Sequence, residues 1–155
     1  MTSKTFPYLL AALGAAVALA ACTDGGTAPT RASAATYVLV SANDQPAPAL
    51  VHDKIWPDDN EHTQLFVTAD TIVLTADGRY TQHAVLLAYS NGSYVGRTDR
   101  RDHGIVARSG PALHFDSNFI QNVSFDGSAD EQGTLSVVQD LPLEGTTARY
   151  VLRRN

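Results

Sequence analysis

From residue 36 onward the chain is a succession of short apolar or alternating stretches, each closed by a cluster of turn-forming residues. Residues 36–41 (Thr-Tyr-Val-Leu-Val-Ser) are rich in β-branched and aromatic side chains, which suit a pleated surface. They predict a first strand that ends at Ala42-Asn43-Asp44. Gln45-Pro46-Ala47-Pro48 cannot lie mid-sheet, because each proline removes a ladder donor; residues 49–51 resume as an edge. Residues 52–62, polar and acidic around Trp56-Pro57, read as a loop with room for one short helix at most. Two strands, or one bent strand, follow over 64–68 and 70–75, then a hairpin turn at Asp77-Gly78, a returning strand over 80–89 and a second hairpin tip at Asn91-Gly92. Residues 94–98, 104–108 and 112–115 continue the meander, the last two joined through Ser109-Gly110-Pro111. A strand over 122–125, a turn at Asp126-Gly127, and strands over 133–138 and 148–152 complete it.

Such spacing, with a turn signal about every ten residues and no helical periodicity held for three turns, belongs to all-β domains. The predicted fold is an antiparallel up-and-down barrel of about eight strands, with a β-sandwich as the alternative.

The first 35 residues follow another rule. Lys4 and the amino terminus supply positive charge, and residues 8–19 form an apolar run. That run is short for a membrane-spanning helix, which needs roughly 20 apolar residues, but it fits the core of a signal peptide. Leu19-Ala20-Ala21-Cys22 then resembles the lipobox of bacterial lipoproteins residue for residue. The resemblance implies cleavage after residue 21 and a diacylglyceryl group on the Cys22 thiol. With a further acyl chain on the new amino group, anchoring is stable, since each buried methylene contributes about 0.8 kcal/mol. Thr23 after the cysteine implies the outer membrane in a bacterium with two membranes. Residues 23–35 carry no apolar periodicity and read as a flexible tether, about 45 Å long if extended and about 20 Å as a coil. The expected organisation is a signal peptide over 1–21, a lipidated cysteine and tether over 22–35, and a barrel domain over 36–155.

Several segments of that domain resemble small lipocalin-like lipoproteins of bacteria. Tyr37-Val38-Leu39 followed by Asn43-Asp44-Gln45-Pro46-Ala47-Pro48 is similar to their opening Y-x-L-x-x-x-N-G-x-P-L-P, with Asp44 in place of glycine. Leu74-Thr75-Ala76-Asp77-Gly78-Arg79-Tyr80 is similar to their L-x-x-D-G-x-[YF] hairpin. Asp102-His103-Gly104-Ile105-Val106 stands where they carry D-x-G-x-[YV], and Tyr150-Val151-Leu152-Arg153-Arg154 resembles their ending. The resemblance implies a lipocalin-like barrel; larger lipocalins hold small apolar ligands inside it.

Charge narrows the partners. The chain carries a net charge of −5, and loss of Lys4 with the leader makes the remainder more negative. No basic excess exists to displace counterions from a phosphate backbone, so nucleic acid is not an expected partner. Attachment to anionic lipid by charge alone is excluded on the same ground, which leaves the covalent lipid on Cys22. One cysteine in the chain cannot form an internal bridge, so the domain is held by its core.

Catalytic chemistry finds no pattern to rest on. His52, His62, His83, His103 and His114 lack the spacing of a zinc site, although His83 and His114 lie in predicted strands that could meet. The acidic run over 58–61 lacks the glycine and alternation of a calcium loop and reads as solvated. No G-x-S-x-G occurs. The expectation is a protein without cofactor, metal or catalytic residues.

Aromatic residues are the remaining candidates. In a barrel alternate residues point inward, so Tyr37, Phe66, Tyr80 and Phe115 either line a pocket or fill the core. Trp56, in the predicted loop, is placed to gate one mouth. Phe119-Ile120 fits a bulge, a strand or an exposed contact. Two function classes follow. One is an anchored envelope lipoprotein whose barrel binds a small apolar ligand, with Trp56, Tyr37, Phe66, Tyr80 and Phe115 as candidate ligand-facing residues. The other is a filled-barrel lipoprotein that contacts another envelope component through its loops.

Overall fold

The computed structural model describes residues 34–120, 123–141 and 146–155. The predicted signal peptide, Cys22 and the tether up to residue 33 lie outside the described residues. The rest is strand: β1 (Ala35–Ala42), β2 (Gln45–Pro46), β3 (Ala49–Trp56), β4 (Glu61–Leu74), β5 (Arg79–Ser90), β6 (Ser93–Ser109), β7 (Ala112–Ser117), β8 (Ser124–Ala129), β9 (Thr134–Asp140) and β10 (Thr147–Arg154).

Each of strands β4 to β10 pairs antiparallel with the next in sequence, and β10 pairs with β1. The circle closes because β1 also pairs with β4, from Ala35 opposite Leu74 to Val38 opposite Thr71. The fold is an eight-stranded antiparallel up-and-down closed barrel, with β2 and β3 as two extra strands. That joint separates a barrel from a sandwich. Where β1 and β4 part, β2 continues along β1 and β3 along β4, after a register shift between Val67 and Ala69.

The hairpin signals work as the sequence predicts. Asn91 and Gly92 both take positive φ, 47° and 78°, in the two-residue β5–β6 turn, and Gly78 does the same before β5 at 80°. Asp44, which stands where the resembling lipoproteins have glycine, sits at φ 62° beside Asn43 at 48°. Asn and Asp tolerate this region better than most residues, so the turn survives the replacement.

Three predicted features are corrected. Residues 52–56 belong to β3 rather than a loop, and only residues 57–60 turn. Polar residues alternate there because β3 is an edge with one wet face. The predicted strands at 94–98 and 104–108 are halves of one long β6. Asp126-Gly127 lies within β8 rather than in a turn. A Cβ on Gly127 would stand 2.8 Å from both the Ser136 carbonyl oxygen and Val137 Cγ1, so this glycine serves close strand packing.

One end of the barrel is solid. Phe115 and Phe125 stack with centroids 4.4 Å apart, and Tyr80 meets both edge-on at 5.1 and 5.7 Å. Ile72, Leu74, Leu113, Leu135, Val137 and Leu152 close around them, all buried. The opposite, outward-pointing residues of β6 include Arg97, Asp99, Arg101 and His103. This end of the barrel is therefore apolar inside, with charged side chains on the outer face of β6. Among the described residues, no helix is long and apolar enough to cross a membrane.

Candidate functional site

Moving along the barrel from the aromatic cluster, the interior turns polar. Inward positions on β5 and β6 are paired as Tyr80 with Gly104, Gln82 with Asp102, Ala84 with Arg100 and Leu86 with Thr98. Gln82 and Gln139 exchange amide hydrogen bonds across the lumen at 3.0 Å in each direction. Gln82 Nε2 also donates to Oδ2 of Asp70 at 2.7 Å. The other Asp70 oxygen is buried and receives no geometric hydrogen bond among the described residues. Burial therefore pushes the Asp70 carboxyl up to about 7, against a smaller opposing pull from the Gln82 hydrogen bond and then from the Arg100 charge. Tyr150, first by burial and then by the Asp70 charge, is pushed up to about 12.

A second group ties this layer to the loop beyond β7. The Tyr80 hydroxyl donates to Asp102 Oδ2 at 2.9 Å, and Ser117 Oγ donates to Asp102 Oδ1 at 2.6 Å. Ser117 Oγ in turn accepts from the amides of Phe119 and Ile120, at 3.2 and 2.9 Å. Burial first, and then Asp102, holds the Tyr80 phenol well above its ordinary range.

The barrel wall is notched above this layer. β7 meets β6 only from Gly104 opposite Ser117, so residues 93–102 of β6 run on without a β7 neighbour. The notch opens into a cavity of about 660 Å³. Leu86, Thr98 and Arg100 line it from the inward phase of β5 and β6, Asp99 and Arg101 from the outward phase of β6, Phe119, Ile120, Val123 and Ser124 from the β7–β8 connection, and Asp140 and Leu141 from the end of β9. Volumes of about 300–1,000 Å³ with a mainly apolar lining and a few convergent polar groups are typical of small-molecule sites. A groove on the outer face, between Thr71, Thr81, His83, Arg101 and His103, is similarly roomy at about 500 Å³ but lies between outward-pointing polar side chains.

The polar groups of the cavity differ in how they are held. Asp99 receives two bonds from Arg97, at 2.9 and 3.0 Å, and one contact from His83 at 3.0 Å. Arg97 and then His83 hold its carboxyl below the usual carboxylate range. Asp140 accepts from Thr147 Oγ1 at 2.9 Å and faces water. Arg100 is half-buried and points inward, yet no hydrogen bond or ion pair holds it among the described residues.

The candidate aromatics scatter relative to this cavity. Tyr80 and Phe115 come together, as neighbours in the solid end. Tyr37 is buried in the same core. Phe66 packs edge-on against Tyr89 at 5.5 Å. Trp56, at the end of β3, donates from Nε1 to Thr63 Oγ1 at 3.2 Å and has the Lys54 ammonium over its ring at 3.6 Å. Phe119 and Ile120 are the aromatic and aliphatic pair that borders the cavity, with Phe119 65% exposed.

The histidines do not converge. His83 faces Asp99 and His114 faces Asp116 and Asp126, on strands separated by β6. The Asp126 hydrogen bond raises the His114 imidazole above its ordinary value. His62 pairs with Asp53. His52 is buried, bonded through Nδ1 to Thr146 Oγ1 at 2.8 Å, with no partner for Nε2 among the described residues, and burial followed by the Lys54 charge lowers it. Cys22 lies outside the described residues. No protein-family model, curated protein or solved structure matches the chain.

Proposed function

We propose that this chain is a lipid-anchored envelope protein whose barrel takes up a small apolar molecule through the notch beside β6. The observation that carries the reading is the cavity of about 660 Å³ above a solid barrel floor, walled by Leu86, Phe119, Ile120, Val123 and Leu141. Tyr80, Phe115 and Phe125 pack against one another below it, and the notch lies where the β6–β7 pairing stops at Gly104 and Ser117. The likeness to lipocalin-like lipoproteins belongs to the same reading, which assigns the barrel no reaction.

Chain direction supports the anchor. Ala35 enters beside Leu74, at the end of the barrel opposite the notch. An acylated Cys22 on a tether would hold the solid end toward the membrane and leave the opening free. In a bacterium with two membranes the outer membrane is the proposed site.

The test is fluorescence of the neutral apolar probe N-phenyl-1-naphthylamine with the whole protein. Saturable enhancement at one site is expected, and Thr98→Trp, which places a bulky ring at an exposed position lining the notch, abolishes it. No enhancement, or enhancement indifferent to Thr98→Trp, overturns the reading.

A second reading has its own observation. Ile55, Tyr94 and Val95 stand 60%, 57% and 60% exposed near the ends of the β3–β4 and β5–β6 hairpins, which are neighbours through the β4–β5 pairing. Apolar groups held out on adjacent hairpins fit contact with another envelope protein. Cross-linking from a photoreactive residue at position 95 tests it, and a monomeric product alone counts against it.

A further inference from the structure

We propose that the molecule taken up carries one anionic head, a carboxylate or a phosphate monoester, bound by the guanidinium of Arg100; this rests on the ligand reading above.

A guanidinium has five N–H donors in a fixed fork and no acceptor, and it stays charged at any physiological pH. Withdrawing one from water without a partner is costly, so half-buried arginines in proteins are normally paired. Arg97, three residues earlier, shows the usual solution with its two-pronged grip on Asp99. Arg100 has none, among the described residues. It points into the cavity from opposite Ala84, whose small side chain offers it no acceptor.

The neighbouring acids are already committed. Asp99 is held by Arg97 and His83, and Asp102 by Tyr80, Ser117 and the His103 amide. Asp70 feels the Arg100 charge without touching it, and burial raises its carboxyl to about 7. Asp140 lies on the wet rim, engaged by Thr147. What remains at the inner end of the cavity is a fork of donors facing apolar walls. An apolar chain along Leu86, Ile120, Val123 and Leu141, with its oxyanion against Arg100, satisfies both parts. Two parallel N–H···O bonds in a partly dry site are strong and select a planar or tetrahedral oxyanion over an alcohol.

The experiment is calorimetric titration of the whole protein with dodecanoate, monododecyl phosphate and dodecan-1-ol, all below micelle formation. Wild type is expected to bind one or both anions about ten- to a hundredfold more tightly than the alcohol, the usual worth of a charge-assisted bond. Arg100→Gln is expected to remove that preference while leaving dodecanol affinity unchanged, which also shows the variant is folded. Arg100→Lys should restore part of it, since charge returns without the fork. The tighter of the two anions names the head group. Equal affinity for acid and alcohol in wild type, or a preference that survives Arg100→Gln, overturns the inference and leaves the ligand reading standing. No uptake of any of the three compounds overturns both.

Discussion

The phenol of Tyr80 donates to Oδ2 of Asp102 at 2.9 Å, and both side chains are buried. Asp102 therefore joins the aromatic cluster at the solid end to Ser117, and through Ser117 to the backbone of Phe119 and Ile120 at the cavity. Removing one partner from a buried network leaves the others unsatisfied, at about 1–3 kcal/mol for each orphaned group. Asp102→Ala should cost about 2–4 kcal/mol, and Tyr80→Phe, which spares the Ser117 bond, about 1–2 kcal/mol. Denaturant midpoints measure both. An Asp102→Ala midpoint equal to wild type would mean the network does not stabilise the fold.

Ser117 holds the cavity border by accepting from two successive amides. Ser117→Ala should speed hydrogen exchange at Phe119 and Ile120 by about tenfold, the worth of a typical net hydrogen bond. Exchange at Leu113 and Phe115, inside β7, should stay as in wild type. Uniform acceleration through β7 would instead indicate general destabilisation.

Two glycines on the same strand should behave oppositely. A Cβ on Gly104 would lie 1.9 Å from the Asp116 carbonyl oxygen and 2.9 Å from Tyr80 Cε1, both within the packed wall. Gly104→Ala is expected to prevent folding or to cost several kcal/mol through overpacking and backbone displacement. Gly96 has nothing within 4 Å of the same atom. Gly96→Ala should change stability by less than about 1 kcal/mol. Thermal melts of the two variants make the comparison.

Asp70 sets a pH dependence whose sign is opposite to that of most carboxylates. Because burial raises its pKa to about 7, the folded protein keeps a proton that the unfolded chain releases above about pH 4. Its contribution is fully favourable below pH 4, where both states are protonated. Stability then falls as pH rises to about 7, by roughly 1.4 kcal/mol per unit, for a total on the order of a few kcal/mol. Asp70→Asn has no proton to lose. Relative to wild type it should gain stability progressively between pH 4 and 7 and hold that gain at pH 8. Urea titrations at pH 4, 6 and 8 test this; parallel curves would show that Asp70 is ionised in the folded state throughout.

Most of the barrel was legible in the sequence, for local reasons. Asp77-Gly78, Asn91-Gly92 and Ser109-Gly110-Pro111 mark turns by backbone chemistry that tertiary contacts seldom override. Closure was not legible, because it depends on Ala35 to Val38 of β1 meeting β4, a contact between strands distant in sequence. Residues 52–56 of β3 and residues 99–103 in the middle of β6 were misread for a shared reason. Each keeps one face in water and offers few apolar residues inward, so the alternation of period two is written in polar side chains. Asp126-Gly127 misled because its glycine answers to Ser136 and Val137 across the sheet rather than to a turn.

The cavity was harder still. Arg100 sits in the run Arg97-Thr98-Asp99-Arg100-Arg101-Asp102, which reads as a solvated charge cluster. One signal was present: counting back in twos from Val106 gives Gly104, Asp102, Arg100 and Thr98, the inward phase of β6. That count needs the strand to be continuous, and continuity comes from pairing with β5. The aromatic candidates followed the opposite logic. Tyr80 and Phe115 are where alternation places them, inside, but their bulk makes the floor.

The central claim, that the notch admits a small apolar molecule, is tested most directly by native mass spectrometry of the whole protein purified gently from its own host. The account predicts a reproducible added mass, lost on unfolding, absent from Thr98→Trp and extracted as an apolar compound with an acidic head. A bare polypeptide mass that gains nothing when dodecanoate, monododecyl phosphate and dodecan-1-ol are supplied would contradict it.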